Sequence, residues 1–203
     1  MIRTKSPNTL IADLAYFCKT TERTHPMNLT LLLFIAFVAL RFYSLFISIG
    51  NEKKLKAMGA VEYGRNNSTI LTISHFFYYG LALYEGLNAH QTYADKISLA
   101  GLLIYAFGIC MLYYVINAIR HIWTVKLYVA DAQYHTINKS PLFRFVRHPN
   151  YLLNILPELV GYALFFHAWF TLTVGLPLYL IPLIIRIVQE EQVMKKHFVD
   201  YSR

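Results

Sequence analysis

Charge is what this sequence has least of. Only 15% of its 203 residues are Asp, Glu, Lys or Arg, against about 25% in an ordinary soluble domain, while 56% are hydrophobic. The deficit is concentrated in long stretches that carry almost no charge, and a run of about 20 apolar residues matches the hydrocarbon thickness of a bilayer. Cysteine is nearly absent as well. Cys18 and Cys110 lie far apart, the second inside an apolar run, so neither a disulfide framework nor zinc-ligand spacing is present. The nine glycines never form a Gly-x-Gly-x-x-Gly fingerprint, and no strand–helix alternation surrounds them, which excludes a soluble Rossmann-type domain. The eight histidines are scattered, and no metal site is expected. Internal repeats, low-complexity segments and a secretory signal pattern are also missing.

What is present are five apolar runs, at 29–50, 68–87, 97–119, 151–170 and 172–187. Each is long enough, or nearly so, to cross a bilayer as a helix. In lipid only helices and closed barrels satisfy their own backbone, and barrel alternation is not seen. The expected fold is therefore an all-α integral membrane protein of about five transmembrane helices. The fourth and fifth runs almost touch near Thr171 and read as a tight C-terminal hairpin, with Pro177 and Pro182 interrupting the fifth.

The net charge of +8 comes from Lys and Arg gathered at the ends of the runs, the pattern of cytoplasmic membrane loops, so nucleic acid is not an expected partner. Segments 51–67 and 120–150 and the tail after Arg186 are basic. Placing all three in the cytoplasm gives five spans with the N-terminus outside. Residues 1–26 disagree, because they add Arg3, Lys5, Lys19 and Arg23 to the outer side. They read either as a peripheral segment that translocates despite its charge or as an upstream extension with a misassigned start. Residues 27–203 then form a single multi-pass domain.

Two polar stretches carry the chemistry. One runs from His135 to Tyr151 and includes Arg147-His148-Pro149-Asn150-Tyr151; the other is Arg186-Ile-Val-Gln-Glu190-Glu191. Arg186 and Glu190 are spaced i, i+4, so they share a helix face and can pair. Ionisable groups at this depth are costly and usually face a protein interior or cavity. Taken singly, the arginines read as snorkelling anchors and the glutamates as a solvated helix face. Together they bring arginines, carboxylates and a histidine to one membrane–water boundary, a setting for a polar ligand that meets a lipid one. Glu158, inside the fourth run, needs a partner, and Arg41 is the other charge inside a run. A structural pair and a substrate contact are both open to it. His75, Tyr78, Tyr79 and Glu85 in the second run are candidates to line a cavity, with an exposed helix-end position as the alternative for Glu85.

The linked motifs, Arg-His-Pro-Asn-Tyr at 147–151 and Arg-x-x-x-Glu-Glu at 186–191, resemble the signature of the isoprenylcysteine carboxyl methyltransferase family. His135-x-Ile137, ahead of Phe143, fits the same approach. Asn-Glu-Lys-Lys-Leu at 51–55, Gly59-Ala-Val-Glu-Tyr-Gly64 and Trp123-Thr-Val-Lys126 look closest to a bacterial subgroup that contains an alkylpyrone O-methyltransferase. The resemblance implies a cytoplasmic S-adenosyl-L-methionine pocket contributed by His135, Ile137, Phe143, Arg147, His148, Pro149, Tyr151 and Glu191. It makes Arg186 and Glu190 the residues that hold the reacting group. Pro141 departs from the family's usual glycine and is left out of the site, because proline offers no backbone donor and cannot take positive φ.

The implied reaction is methyl transfer to an oxygen, a carboxylate or acidic hydroxyl, of a lipophilic acceptor, in what is implied to be a bacterial inner membrane. Such an acceptor needs little help from a base, so the protein mainly positions the reactants and excludes water. Two further enzyme classes share this architecture by resemblance, phospholipid N-methyltransferases and sterol reductases. A non-catalytic scaffold or small transporter is the reading from outside enzymology.

Overall fold

The computed structural model describes residues 29–89, 93–120, 122–129, 146 and 148–197, of which 83% are helical. The helices fall on the apolar runs. α1 spans Leu29–Ala57, α2 Arg65–Asn88 and α3 Lys96–Ile119. The fourth run begins as a wide π turn, Asn150–Ile155, and continues as α4, Leu156–Phe165. After a tight reversal the fifth run repeats the device, with a π turn at Thr171–Gly175 followed by α5, Leu176–His197. In both cases a proline, Pro157 or Pro177, comes directly after the first α-helical residue. Proline has no N–H to donate and its ring crowds the carbonyl four residues back. The π register relieves this: the N–H of Leu156 reaches Tyr151 O, and that of Leu176 reaches Thr171 O. Pro182 lies within α5, and its carbonyl accepts from Asn67 Nδ2 at 3.0 Å.

Among the described residues three helical segments are long and apolar enough to cross a membrane: Leu29–Ala57, Lys96–Ile119 and Thr171–His197. The second and fourth runs are helical too, but α2 carries several polar residues and α4 is short.

At one end the three basic segments meet. Strand β1, Val61–Tyr63, pairs antiparallel with β2, Leu127–Val129, in the register Val61↔Val129, Glu62↔Tyr128, Tyr63↔Leu127. Asn51 of α1 donates to the carbonyls of Arg120 (2.7 Å) and Trp123 (2.9 Å), and Lys126 pairs with Glu52 at 2.9 Å. The end of α5 joins them through Val193 and Met194, packed on Leu127 and Val129.

At the other end Glu85 accepts the N–H groups of Phe170 (3.1 Å) and Thr171 (2.9 Å), so it caps the second half of the hairpin rather than facing solvent. Asp95 caps α3 through Ser98 N–H at 3.0 Å and meets His167 Nε2 at 2.8 Å. The expected tight hairpin turns at His167, whose φ of 53° is left-handed.

Between the ends, α3 and α4 approach closely. A Cβ on Gly161 would collide with the backbone of Gly101 and Tyr105, and one on Gly101 with that of Phe165 and Gly161. Small residues at such a contact let helices pack backbone to backbone where lipid supplies no hydrophobic drive. Around this seam Phe34, Tyr105, Tyr162 and Phe165 form an aromatic core, with Phe34 stacked on Phe165 at 3.8 Å between ring centroids.

Candidate active site

The π turn that opens the fourth run places His148, Pro149 and Tyr151 at the basic end of the molecule, facing the last turns of α5. Pro149 is buried as the residue before the turn and contacts the site only through the chain direction it sets. Tyr151 is the centre of the cluster. Its hydroxyl donates to Glu190 Oε2 at 2.5 Å and accepts from Arg186 Nε at 3.4 Å. Arg186 is 2% exposed. It spends its other two nitrogens on Ser68 Oγ (2.8 Å) and the carbonyl of Val125 (3.2 Å). The i, i+4 spacing of Arg186 and Glu190 therefore does not become a direct pair. Tyr151 bridges them, because three neighbours from α2, the β2 approach and the π turn already take the guanidinium donors.

His148 stacks against Tyr151, with ring centroids 5.8 Å apart, and lies between the two carboxylates. Its Nε2 is 3.3 Å from Glu191 Oε1, and its Nδ1 is 3.4 Å from Glu190 Oε1. The second approach lacks hydrogen-bond geometry, so Nδ1 is a buried polar atom with no hydrogen-bond partner among the described residues. Burial works against the imidazolium, but the facing carboxylates of Glu190 and Glu191 outweigh it and lift the His148 pKa above its ordinary value. Glu191 also pairs with Lys195 at 2.9 Å. Of the sequence candidates, the structure thus brings together His148, Tyr151, Arg186, Glu190 and Glu191. His135, Ile137, Phe143 and Arg147, like Pro141, lie outside the described residues.

A narrow cavity with about 60 Å³ of free space begins at Tyr151 and runs between α1, α2 and the π turn. Trp123, Val125, Asn150 and Asn154 line it near the cluster, and Arg41, His75, Tyr79 and Tyr179 line its far part. Phe42 and Phe76, both exposed on the outside of the bundle, border it. Of the four cavity candidates on α2, His75 and Tyr79 line this space; Tyr78 instead donates to Leu159 O.

Arg41 does find Glu158, with Nε 2.6 Å from Oε1. Glu158 is fully buried and also receives Tyr79 Oη (2.5 Å) and His75 Nε2 (3.3 Å) on the same oxygen. With its amide turned to donate, Asn154 reaches Glu158 Oε2 at 3.2 Å. Sequence reasoning gave no site role to Ser68, nor to Asn51 and Trp123, which it noted only within subgroup-like segments. Asn51 opens the polar end of α1, where its neighbours Glu52, Lys53 and Lys54 mask any signal, and the positions of Trp123 and Ser68 depend on how the helices register in space.

Residues 100–196 match the model of the isoprenylcysteine carboxyl methyltransferase (ICMT) family. That segment contains His148, Tyr151, Arg186, Glu190 and Glu191. The chain is also 50% identical over 165 residues to an uncharacterized protein of Haemophilus influenzae, an alignment that covers 81% of this chain and 94% of that protein. No solved structure matches. The matched family is one of methyltransferases, and among the described residues three helical segments are long and apolar enough to cross a membrane. The chain belongs to one family with the Haemophilus protein, and its residues 100–196 match the ICMT family.

Proposed function

We propose that this protein transfers a methyl group from S-adenosyl-L-methionine to a carboxylate or acidic hydroxyl oxygen of a lipophilic acceptor, at the cytoplasmic face of a bacterial inner membrane. The observation that carries this reading is one of position. The family-matched segment contains the buried cluster of His148, Tyr151, Arg186, Glu190 and Glu191, and that cluster sits at the end of a cavity bordered by exposed aromatic rings.

ICMT-family methyltransferases generally use S-adenosylmethionine, and the described residues fit it. Two carboxylates suit its ammonium group and ribose hydroxyls, and His148 Nδ1 is a buried polar atom with capacity to spare. In this reading Glu190, Glu191, His148 and Tyr151 hold the cofactor, with His135, Ile137, Phe143 and Arg147 completing the pocket. When bound, the cofactor supplies an already activated methyl group, so no metal and no strong base are required.

The protein's part is to orient and to exclude water. Arg186 supplies positive charge beside the anionic oxygen, while Tyr151 and Glu190 hold Arg186 in place. The acceptor reaches the cluster sideways from the bilayer, past Phe42 and Phe76. The bacterial alkylpyrone subgroup remains the nearest model for such an acceptor.

Calorimetry of S-adenosylhomocysteine binding to the detergent-purified protein tests this directly. Micromolar affinity that Glu190→Gln and His148→Ala both weaken is the expected result. A folded wild type that binds none would end the methyltransferase reading and favour a reductase-like or non-catalytic membrane protein.

A further inference from the structure

The far part of the cavity is more polar than a tunnel for a plain hydrocarbon tail requires. Glu158 is saturated by Arg41, His75, Tyr79 and Asn154, so its oxygens have nothing left to offer a ligand. Donors, by contrast, remain. Arg41 spends Nε on Glu158 and Nη1 on Ser44 (2.9 Å), and its Nη2 makes no hydrogen bond among the described residues. Trp123 is 3% exposed, lines the same cavity, and has an indole N–H that is buried without a partner among the described residues. An unmet buried donor costs about 1–3 kcal/mol, and the Trp123 N–H is such a donor on this cavity, while Arg41, partly buried, lines the same space with Nη2 unengaged among the described residues.

Helix α1 measures the distance between these donors. Ser48 Oγ accepts the N–H of Val125 at 3.0 Å and Asn51 reaches Trp123 O at 2.9 Å, so Trp123 lies level with Ser48–Asn51. Arg41 is two to three helical turns further in, roughly 10–15 Å along the axis. Trp123 is thus near Tyr151 and the reacting end, and Arg41 is deep among the helices.

We propose that the acceptor is a two-headed amphiphile. Besides the oxygen that is methylated, it carries a second oxygen, a hydrogen-bond acceptor such as a keto group, roughly 10 Å or more along its chain, and this second oxygen is bound by Arg41. Glu158 and its partners hold Arg41 so that one face of the guanidinium remains available to the cavity. The narrowness of the space fits a chain or the edge of a flat ring. This inference rests on the proposed function in taking the cavity as the acceptor site.

The test uses full-length protein carrying Trp169→Phe, so that Trp123 becomes the sole tryptophan. Its fluorescence is titrated with hexadecanoic acid and with the same acid bearing a mid-chain keto group. The keto acid is expected to bind about tenfold more tightly, the equivalent of one well-made buried contact. The paired variant Arg41→Gln/Glu158→Gln, which removes both charges together and leaves no orphan, should erase that preference. Equal binding of the two acids to the parent protein, or a preference that survives in the paired variant, would overturn the proposal. S-adenosylhomocysteine calorimetry on the same samples separates the two readings: keto-selective binding without cofactor binding would leave the cavity assignment standing and remove only the methyltransferase.

Discussion

At the scale of single residues, the cluster depends on Tyr151 and His148 more than on a direct Arg186–Glu190 pair. Tyr151 links a guanidinium to a carboxylate with one hydroxyl, so the geometry of both is referred to the π turn that carries it. His148 has a pH signature. Its folded pKa lies above the ordinary 6.5 because two carboxylates outweigh the cost of burial. A group whose pKa is raised by folding contributes its stability in full below the unfolded value, and the contribution is lost as the pH rises through the folded value. The thermal stability of the wild type over His148→Gln is therefore expected to be greatest in mildly acid solution and to shrink steadily towards alkaline pH. A melting-temperature difference that grows with pH would contradict this account of the two carboxylates.

At the scale of elements, the buried pair Arg41–Glu158 ties α1 to α4 with no sequence-local contact to help it. Removing one partner leaves the other charged and buried, which costs about 3–5 kcal/mol, whereas removing both is often close to neutral. Arg41→Gln and Glu158→Gln alone are each expected to lower the thermal unfolding temperature in detergent sharply, and the double variant by much less than their sum. Simple additivity would mean that the pair is not coupled.

This pair was legible in the sequence because two charges stood inside apolar runs and each needed the other. The helices and the C-terminal hairpin were legible for a similar reason: long apolar runs leave the backbone no other choice in lipid. The ladder of β1 and β2 was not, since three-residue strands carry no periodicity to read. Nor was the bridge through Tyr151. Spacing along α5 put Arg186 and Glu190 on one face but could not say that Ser68 and Val125, from elsewhere in the chain, would take the guanidinium first. Part of the expected cofactor pocket, His135 to Arg147, falls outside the described residues, so the structure bears on only half of that set.

At the scale of the whole molecule, the distribution of charge and the alternation of helix ends make one argument. Lys53, Lys54, Lys56, Arg65, Arg120, Lys126, Lys195 and Lys196 lie at the end where β1, β2 and the close of α5 meet. The opposite end holds Glu85, Asp95, Lys96 and His167. A charge difference of this kind orients membrane proteins with the basic end inside. Among the described residues three helical segments qualify as spans by length and apolar composition; we propose that α2 and the α4 hairpin cross as well, which would put Asn88 opposite Lys54. In a variant lacking both native cysteines, Cys introduced at Asn88 is expected to react with a membrane-impermeant maleimide added to intact spheroplasts. Cys at Lys54 or Lys196 should react only after permeabilisation. Protection of all three positions would mean that α2 does not cross, since a chain spanning only with α1, α3 and α5 keeps residues 54 and 88 on the same side. Labelling of Lys54 and Lys196 in intact cells would invert the molecule and place the His148–Glu190 cluster outside, away from any cytoplasmic supply of S-adenosylmethionine.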